Sequence, residues 1–397
     1  IYMRIDDSVV TMLREKPYLV RRARGFAPQQ LRLPWDAVPL LATGTELKNT
    51  FCLTRERYAF VSHYIGDLEN QETLSSFEQA IHHYERVFRI QPEALACDLH
   101  PDYLATRYAQ ARSQAESLPL MAVQHHHAHI ASCITENGWA SHEPVIGLAY
   151  DGTGYGTDGT IWGGEILIAS YKDFTRRFHL APVLLPGGDL AVSKPARMAL
   201  SYLFAAGMDI EDQILAPVTY LTPDEIQAVR HQARTGFNAP LTSSMGRLFD
   251  AVAALIGLCE EISYEAQAAM ALESAVDLQE SGSYELPLEN DIINPLPMIR
   301  AIVAELNDGV SAGCIAARFH NSLVRMSVEA CLQIRQETGL RTVAISGGVW
   351  QNMRLMNLIL PALDSEGFTP LIHTQLPPND GCVSLGQAAV ALARLQG

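Results

Sequence analysis

The stretch RTVAISGGVWQNMRLMNLILPAL, residues 341–363, decides the fold class. It opens on a short apolar run, TVAI, and turns through a loop with two adjacent glycines. It then continues as a segment whose apolar residues recur every three or four positions, the mark of a helix. The pattern repeats at once in strand TPLI, loop HTQLPPNDG and helix CVSLGQAAVALARL, and ARFHNSLVRMSVEACLQI ahead of it reads as another helix. Such alternation implies an α/β fold with a largely parallel sheet covered by helices, and ligands at the loops beyond the strand C-termini. SGGVWQN (346–352) is one such loop. Glycine there lets backbone approach a ligand closely, although a plain strand-to-helix turn would use it equally. No GxxxxGK[ST] occurs, so this is not a P-loop nucleotide site.

Working outward, DGTGYGTDG (151–159) sets Gly154, Gly156 and Gly159 in GxGxxG spacing. A dinucleotide fingerprint must open a helix, and here TIWGGEILIASY follows and reads as a strand. PVIGLAY and TIWGGEILIASY therefore form a β-hairpin whose turn could cradle a phosphate on backbone N–H groups, with Asp151 at the end of its first strand. VQHHHAHIAS (123–132) places His125 and His129 four residues apart, on one face if helical, where two ring nitrogens can meet one cation. A solvated histidine-rich turn is the rival reading. LPPNDGCVSLGQ (376–387) puts Asp380 at the mouth of the last helix, as a cap or as a carboxylate ligand. His125, His129, Asp151 and Asp380 are the pieces of a two-histidine, two-carboxylate site suited to zinc or iron(II), whose convergence the sequence leaves open. ATGTELKNTFCL (42–53) adds Lys48, a phosphate contact or a solvent-facing lysine.

Composition narrows the function. The chain has 397 residues, 48% hydrophobic and 18% charged, which suits an ordinary globular protein with one large or two moderate cores. Its 29 basic and 44 acidic residues give a net charge of −15, which disfavours a phosphate-tracking surface and so nucleic acid as the main partner. Seven scattered cysteines without a CxxC pair suit a reducing cytoplasm, not a disulfide framework or zinc finger. No run approaches the ~20 apolar residues of a membrane span, and no signal peptide is expected. IYMRIDDSVV reads as mid-domain sequence, so a piece of a longer polypeptide is expected.

Residues 1–35 read as the tail of a preceding unit and a linker, with Arg21, Arg22 and Arg24 as a solvated cluster or an anion clamp. From about residue 38 come short strands, VPLLATG and FCLTRERYAFVSHYIGD. SSFEQAIHHYERVFRI follows, with Phe77, Ile81, Tyr84 and Phe88 on one helical stripe. Residues 195–336 read as mostly helical, and LTPDEIQAV carries a start signal in Thr222, Pro223 and Glu225. No sequence repeat is evident, yet the strand-rich start and alternating end suggest two lobes around one cleft.

Taken together, DDSVV, RRARGFAP, ATGTELKNTFCL, SHYIGDLEN, DLHPDY, VQHHHAHIAS, AYDGTGYGTDGTIWGGE, KPARMAL, ARFHNSL, SGGVWQN and LPPNDG resemble the C-terminal region of the HypF family, the carbamoyltransferases of [NiFe]-hydrogenase maturation. The resemblance spans nearly the whole chain in family order. It implies an actin/sugar-kinase/Hsp70-like fold, two ribonuclease-H-like lobes around a nucleotide and metal cleft. Residues 36–397 would be a TsaD-like carbamoyltransferase domain, lobe I about 36–140 and lobe II about 141–397, and residues 1–35 the end of a YrdC-like domain.

By the same resemblance, His125, His129, Asp151 and Asp380 match the ligands of one divalent metal, zinc or iron, and Lys48, His125 and His129 are catalytic candidates. Gly152, Thr153, Gly154, Gly246, Asp250, Gly347, Gly348 and Asn352 match nucleotide-facing positions, with Asp250 on a ribose. Ser193 and Lys194 stand where an arginine–glutamate pair is expected. The implied reaction moves a carbamoyl group from carbamoyl-adenylate, itself made from carbamoyl phosphate and ATP by domains this sequence lacks, to the C-terminal cysteine of HypE. The rivals are a related O-carbamoyl- or threonylcarbamoyl-transferase, and a non-catalytic nucleotide-binding docking module.

Overall fold

The chain enters through a hairpin, β1 (Val9–Leu13) and β2 (Lys16–Arg21), in a computed structural model that describes residues 4–141, 143–210 and 214–395. Its turn residues Arg14 and Glu15 both lie in the left-handed region, as a two-residue hairpin turn of the favoured twist requires. The hairpin is docked, not trailing. Tyr18 is buried and donates its hydroxyl to the Trp350 carbonyl at 3.2 Å, and the Val20 carbonyl accepts from Gln351 (3.3 Å) and Asn379 (3.0 Å). Arg22 is buried too, and donates to the carbonyls of Val61, Ser62, Phe26 and Gln29 at 2.8–3.2 Å. Arg21 and Arg24 pair with Asp6 and Asp7. The arginine cluster thus splits into a buried clasp and two exposed ion pairs, and the expected boundary at residue 35 falls inside the next strand.

Two sheets follow with one internal order. In the first, β3 (Leu31–Ala42) pairs antiparallel with β4 (Cys52–Val61) and parallel with β5 (Ala94–Asp98), which pairs parallel with β6 (Leu120–Val123). In the second, β7 (Val145–Tyr155) pairs antiparallel with β8 (Ile161–Ala169), and β8 antiparallel with β9 (Phe174–Leu180). Short strands β10 (Val183–Leu184), β11 (Leu241–Thr242), β12 (Leu288–Glu289) and β13 (Ile292–Ile293) extend this sheet. Then β14 (Thr342–Ser346) joins β7 in parallel, and β15 (Thr369–Leu371) joins β14. The orders β4-β3-β5-β6 and β8-β7-β14-β15 correspond strand for strand. This is the ribonuclease-H-like arrangement, present twice. The repeat invisible in the residues is therefore present in the topology.

Helices cover both sheets. One face of the first sheet buries Phe77, Ile81 and Tyr84 of α1 (Gln71–Phe88), with α2 (Leu104–Glu116) beside it. α3 (His125–Glu136) follows β6. Between β9 and β14 come α4 (Asp189–Ser193), α5 (Pro195–Ala205), α6 (Ala216–Tyr220), α7 (Pro223–Thr235), α8 (Met245–Leu255), α9 (Gln267–Ser274), α10 (Leu296–Asn307) and α11 (Ala312–Thr338). They pack into the largest core. The capping box of α7 is formed, with Thr222 and Glu225 satisfying each other's backbone N–H groups. Lys194 pairs with Glu225 at 2.9 Å, which gives that position a structural role.

After α12 (Met353–Ser365), α13 (Val383–Leu395) returns to the first sheet and buries Leu385, Ala388 and Leu392 against β3–β5. Lobe I is thus completed by the chain's last helix. α3 and α13 cross at Gly386, where a β-carbon would lie 1.8 Å from the Ala128 carbonyl oxygen. Only glycine lets them approach so closely.

Candidate active site

The four candidate ligands come from four separate segments and meet where the two lobes join. His125 and His129 stand on the first turns of α3, which Gln124 caps by accepting from the His127 N–H at 2.9 Å. Asp151 lies in β7 where its pairing with β8 slips between Tyr150 and Gly154. Asp380 opens a single 3-10 turn ahead of α13. Both histidines are fully buried, and one ligand atom from each of the four residues lies within 4.8 Å of every other. His125 Nε2 sits 3.4 Å from Asp151 Oδ2 and 3.7 Å from Asp380 Oδ1, and His129 Nε2 sits 3.0 and 3.7 Å from the same atoms. His129 Nε2, though buried, makes no aligned hydrogen bond. Two imidazoles and two carboxylates gathered this closely are a donor set that fits a divalent cation. Donors around a tetrahedral ion lie about 3.4 Å apart. The four histidine–carboxylate distances, 3.0–3.7 Å, bracket that spacing.

Behind each histidine stands a polar group from the end of a central strand. Asp98, last residue of β5, takes His125 Nδ1–H at 3.0 Å, so Nε2 is left to the cluster. Ser346, last residue of β14, lies 3.0 Å from His129 Nδ1, with Cys382 Sγ at 3.4 Å. The chain runs on from Ser346 to His373 Nε2 (2.9 Å) and from His373 Nδ1 to Glu136 (2.8 Å). Burial opposes charge on His125, but Asp380, Asp151 and Asp98 outweigh it and raise its pKa to about 10. Asp151, despite burial, is held well below the usual carboxylate range by His125 and His129. Burial alone would raise the Cys382 thiol, yet His373 and His129 bring it down to about 6. The pocket therefore stabilises positive charge at the histidines, as a cation site must.

Asp98, Ser346, Cys382, His373 and Glu136 did not stand out in the sequence. For the first two a signal existed, because each is the lone polar residue ending an apolar strand, as Asp151 nearly is.

The nucleotide candidates divide. Asp151 Oδ1 accepts from Gly152 N (2.8 Å) and Gly348 N (3.1 Å), so the two glycine loops meet at one carboxylate. Gly246, in the first turn of α8, would put a β-carbon 2.9 Å from the Gly152 Cα, and Gly347 has φ +113° with a β-carbon position 2.1 Å from the Tyr150 carbonyl oxygen. Gly154 packs on the rings of His126 and His125, and Thr153 is exposed. Two other candidates are engaged within the protein. Asn352 caps α12 through Leu355 N (2.9 Å) and donates to His320 Nε2 (3.0 Å). Asp250 is buried one turn past Gly246, with Arg247 Nε 2.8 Å away.

Lys48 sits on the β3–β4 turn, the counterpart of the turn that follows Asp151. Thr50 ties that turn to Gly381 and Ser384, at 3.0 and 2.7 Å, and Gln387 clamps Gly44. Its ammonium lies 2.5 Å from both oxygens of Glu265.

The fold now has counterparts among known proteins. Residues 36–136 match the HypF Kae1-like domain, and residues 147–387 match the second subdomain of the carbamoyltransferase Kae1-like domain. The chain belongs to the HypF carbamoyltransferase family. It is 40% identical to carbamoyltransferase HypF of Synechocystis over 99% of its own length and 52% of that protein. It is 36% identical to a carbamoyltransferase HypF homolog of Cupriavidus necator, covering 90% of this chain and 92% of that one. A crystal structure of full-length HypF in a phosphate- and nucleotide-bound form superposes with a TM-score of 0.92 at 42% identity, over 99% of this chain and 61% of that one. The chain thus spans about half the length of the first HypF proteins it matches. Among the described residues no helix is long and apolar enough to cross a membrane.

Proposed function

We propose that this chain carries the transfer site of a HypF-type enzyme, moving a carbamoyl group from carbamoyl-adenylate to the C-terminal cysteine thiol of HypE. The observation that carries the reading is the convergence of His125, His129, Asp151 and Asp380 beside the glycine backbone at Gly152, Gly246, Gly347 and Gly348. The related full-length HypF structure is a phosphate- and nucleotide-bound form, which supports a nucleotide as a ligand here. Zinc or iron(II) held by the four side chains would supply a Lewis acid for a phosphate or carbamoyl oxygen.

The chain's own residues orient and exclude water. Glycine in the two loops and in the first turn of α8 lets a phosphate approach the backbone closely, Lys48 adds a positive charge, and Asp250 takes a ribose hydroxyl once Arg247 swings aside. No nucleophile is needed from the protein. The acceptor sulfur attacks the carbamoyl carbon, the bond from that carbon to the phosphate oxygen breaks, AMP leaves with the electron pair, and the thiol proton passes to solvent. The site is expected in a reducing cytoplasm, which suits seven free cysteines.

The test is mass spectrometry of HypE after incubation with this chain. Supplied carbamoyl-adenylate should add one carbamoyl group at the C-terminal cysteine, whereas carbamoyl phosphate with ATP should add none. Modification from carbamoyl phosphate and ATP alone would show that the activities are divided differently. No modification from either overturns transfer by this chain.

A further inference from the structure

Lys48 and Glu265 form an ion pair across the cleft between elements far apart in sequence. Lys48 projects from the β3–β4 turn with φ +46°, a left-handed conformation held by Asp67, which accepts from Lys48 N at 2.8 Å. Glu265 lies just ahead of α9, and its neighbour Ala266 is also left-handed, at φ +61°. Both ends are therefore presented by backbone that ordinary residues adopt at a cost. The two side chains are unequally exposed, 23% for Lys48 and 63% for Glu265, so the lysine stays in the cleft while the carboxylate reaches in from the rim.

Burial alone would lower the lysine's pKa, but Glu265, then Asp380 and Asp151, outweigh it and hold the ammonium charged. Lys48 thus feels both the carboxylates of the candidate metal cluster and a carboxylate that lies largely in water. An ion pair with one partner largely in water is weak, and a dianionic phosphate competes for the same ammonium with more charge.

We propose that Glu265 is a stand-in for the substrate's anionic group: it occupies Lys48 across the cleft until a nucleotide phosphate displaces it. Its place on the rim makes it a specificity-determining residue, because only a ligand that brings a phosphate within reach of Lys48 recovers the interaction that is lost. An uncharged nucleoside gains nothing from breaking the pair. This inference rests on the nucleotide reading above and adds the element that selects for the phosphate.

The composition makes the test tractable. The chain has four lysines, Lys16, Lys48, Lys172 and Lys194, so reductive ¹³C-methylation of the full chain gives few resonances, with Lys48→Arg assigning the one of interest. AMP and adenosine are titrated into the methylated protein and into Glu265→Gln, with calorimetry on the unmethylated pair. The inference expects AMP but not adenosine to shift the Lys48 resonance in the native chain. It also expects Glu265→Gln to bind AMP about threefold more tightly, with adenosine affinity unchanged. Heat of AMP binding with an unmoved Lys48 resonance, or equal or weaker AMP affinity in Glu265→Gln, overturns the role of Glu265 and leaves the nucleotide site standing. No AMP binding by either protein overturns the nucleotide reading, and this inference with it.

Discussion

The two sheets share strand order and direction, yet their equivalent positions carry opposite chemistry. The turn that follows β3 presents the Lys48 cation, whereas its counterpart β7 presents the Asp151 carboxylate. The end of β5 offers Asp98 to His125, and the end of β14 offers Ser346 to His129. The helix after β6 brings the two histidines, and the 3-10 turn ahead of α13 brings Asp380 and Cys382. A repeated unit has thus been used twice at one seam, and the site exists only because the halves differ. Charge separates them, while packing joins them through α3 and α13.

The largest expected effect concerns how charge is buried in this pair. His63 beyond β4, His127 at the seam and His320 in α11 each have a pKa brought down to about 4 by burial. Neutral imidazole is what each site accepts, as where Asn352 donates to His320. The unfolded-state value is about 6.5, so the folded value is depressed. The stability from keeping these rings neutral is complete above pH 6.5 and is lost as pH falls towards 4, about 3 kcal/mol for each ring. Urea unfolding between pH 7 and 4 should show a steep decline, shallower in His127→Gln. A flat profile would break the account.

Next in size is the cluster itself. His129→Ala removes one of the four proposed ligands and exposes its carboxylate partners to mutual repulsion. Metal analysis should find the bound ion lost, and unchanged stoichiometry with an intact fold would refute the ligand set. Then comes the seam. Gly386→Ala places a methyl at 1.8 Å from a backbone oxygen, so the helices must part, at a cost of about 1–3 kcal/mol or more. Thermal denaturation measures that loss, and an unchanged midpoint would show the crossing to be looser than described.

The two supporting groups sharpen the comparison most directly. Asp98→Asn weakens the charge behind His125, and metal affinity should fall about 10- to 100-fold. Ser346→Ala leaves Cys382 beside His129 Nδ1, so its effect should be smaller. Competition with a chelator ranks them, and the reverse order would mean that lobe II carries the greater share.

What the sequence made legible follows from this division of labour. Period and punctuation located the alternating strands and helices of residues 317–395, the hairpin around Asp151 and the α7 start, since each depends on local spacing. The i, i+4 histidines were visible for the same reason. Glu265 was not, because its meaning comes from a lysine 217 positions away. The topological repeat was hidden because a sheet order needs only apolar runs of the right length, which tolerate almost any exchange among Val, Leu, Ile and Ala. Asp250 and Asn352 were assigned to a ligand, yet their side chains also have partners inside the protein, and partners of that kind leave no trace in spacing.

The smallest effect tests whether lobe II's helical layer is independent of the seam. Thr222 caps α7, accepting from Glu225 N at 3.3 Å, while Glu225 returns to Thr222 N at 3.0 Å and also holds Lys194 at 2.9 Å. Lys194 and Glu225 are both partly exposed, so their ion pair adds little, and the cap is the larger part of the local stabilisation. Thr222→Ala should therefore lower unfolding free energy by about 1 kcal/mol, and Thr222→Ser, which keeps the hydroxyl, by less. Metal affinity should not change in either, because α7 contributes no group to the cluster. Chemical denaturation and a metal titration on the same two variants give both numbers. A loss of metal affinity alongside the loss of stability would show that the helical layer and the seam move together, and that the contrast between the lobes is one of chemistry alone.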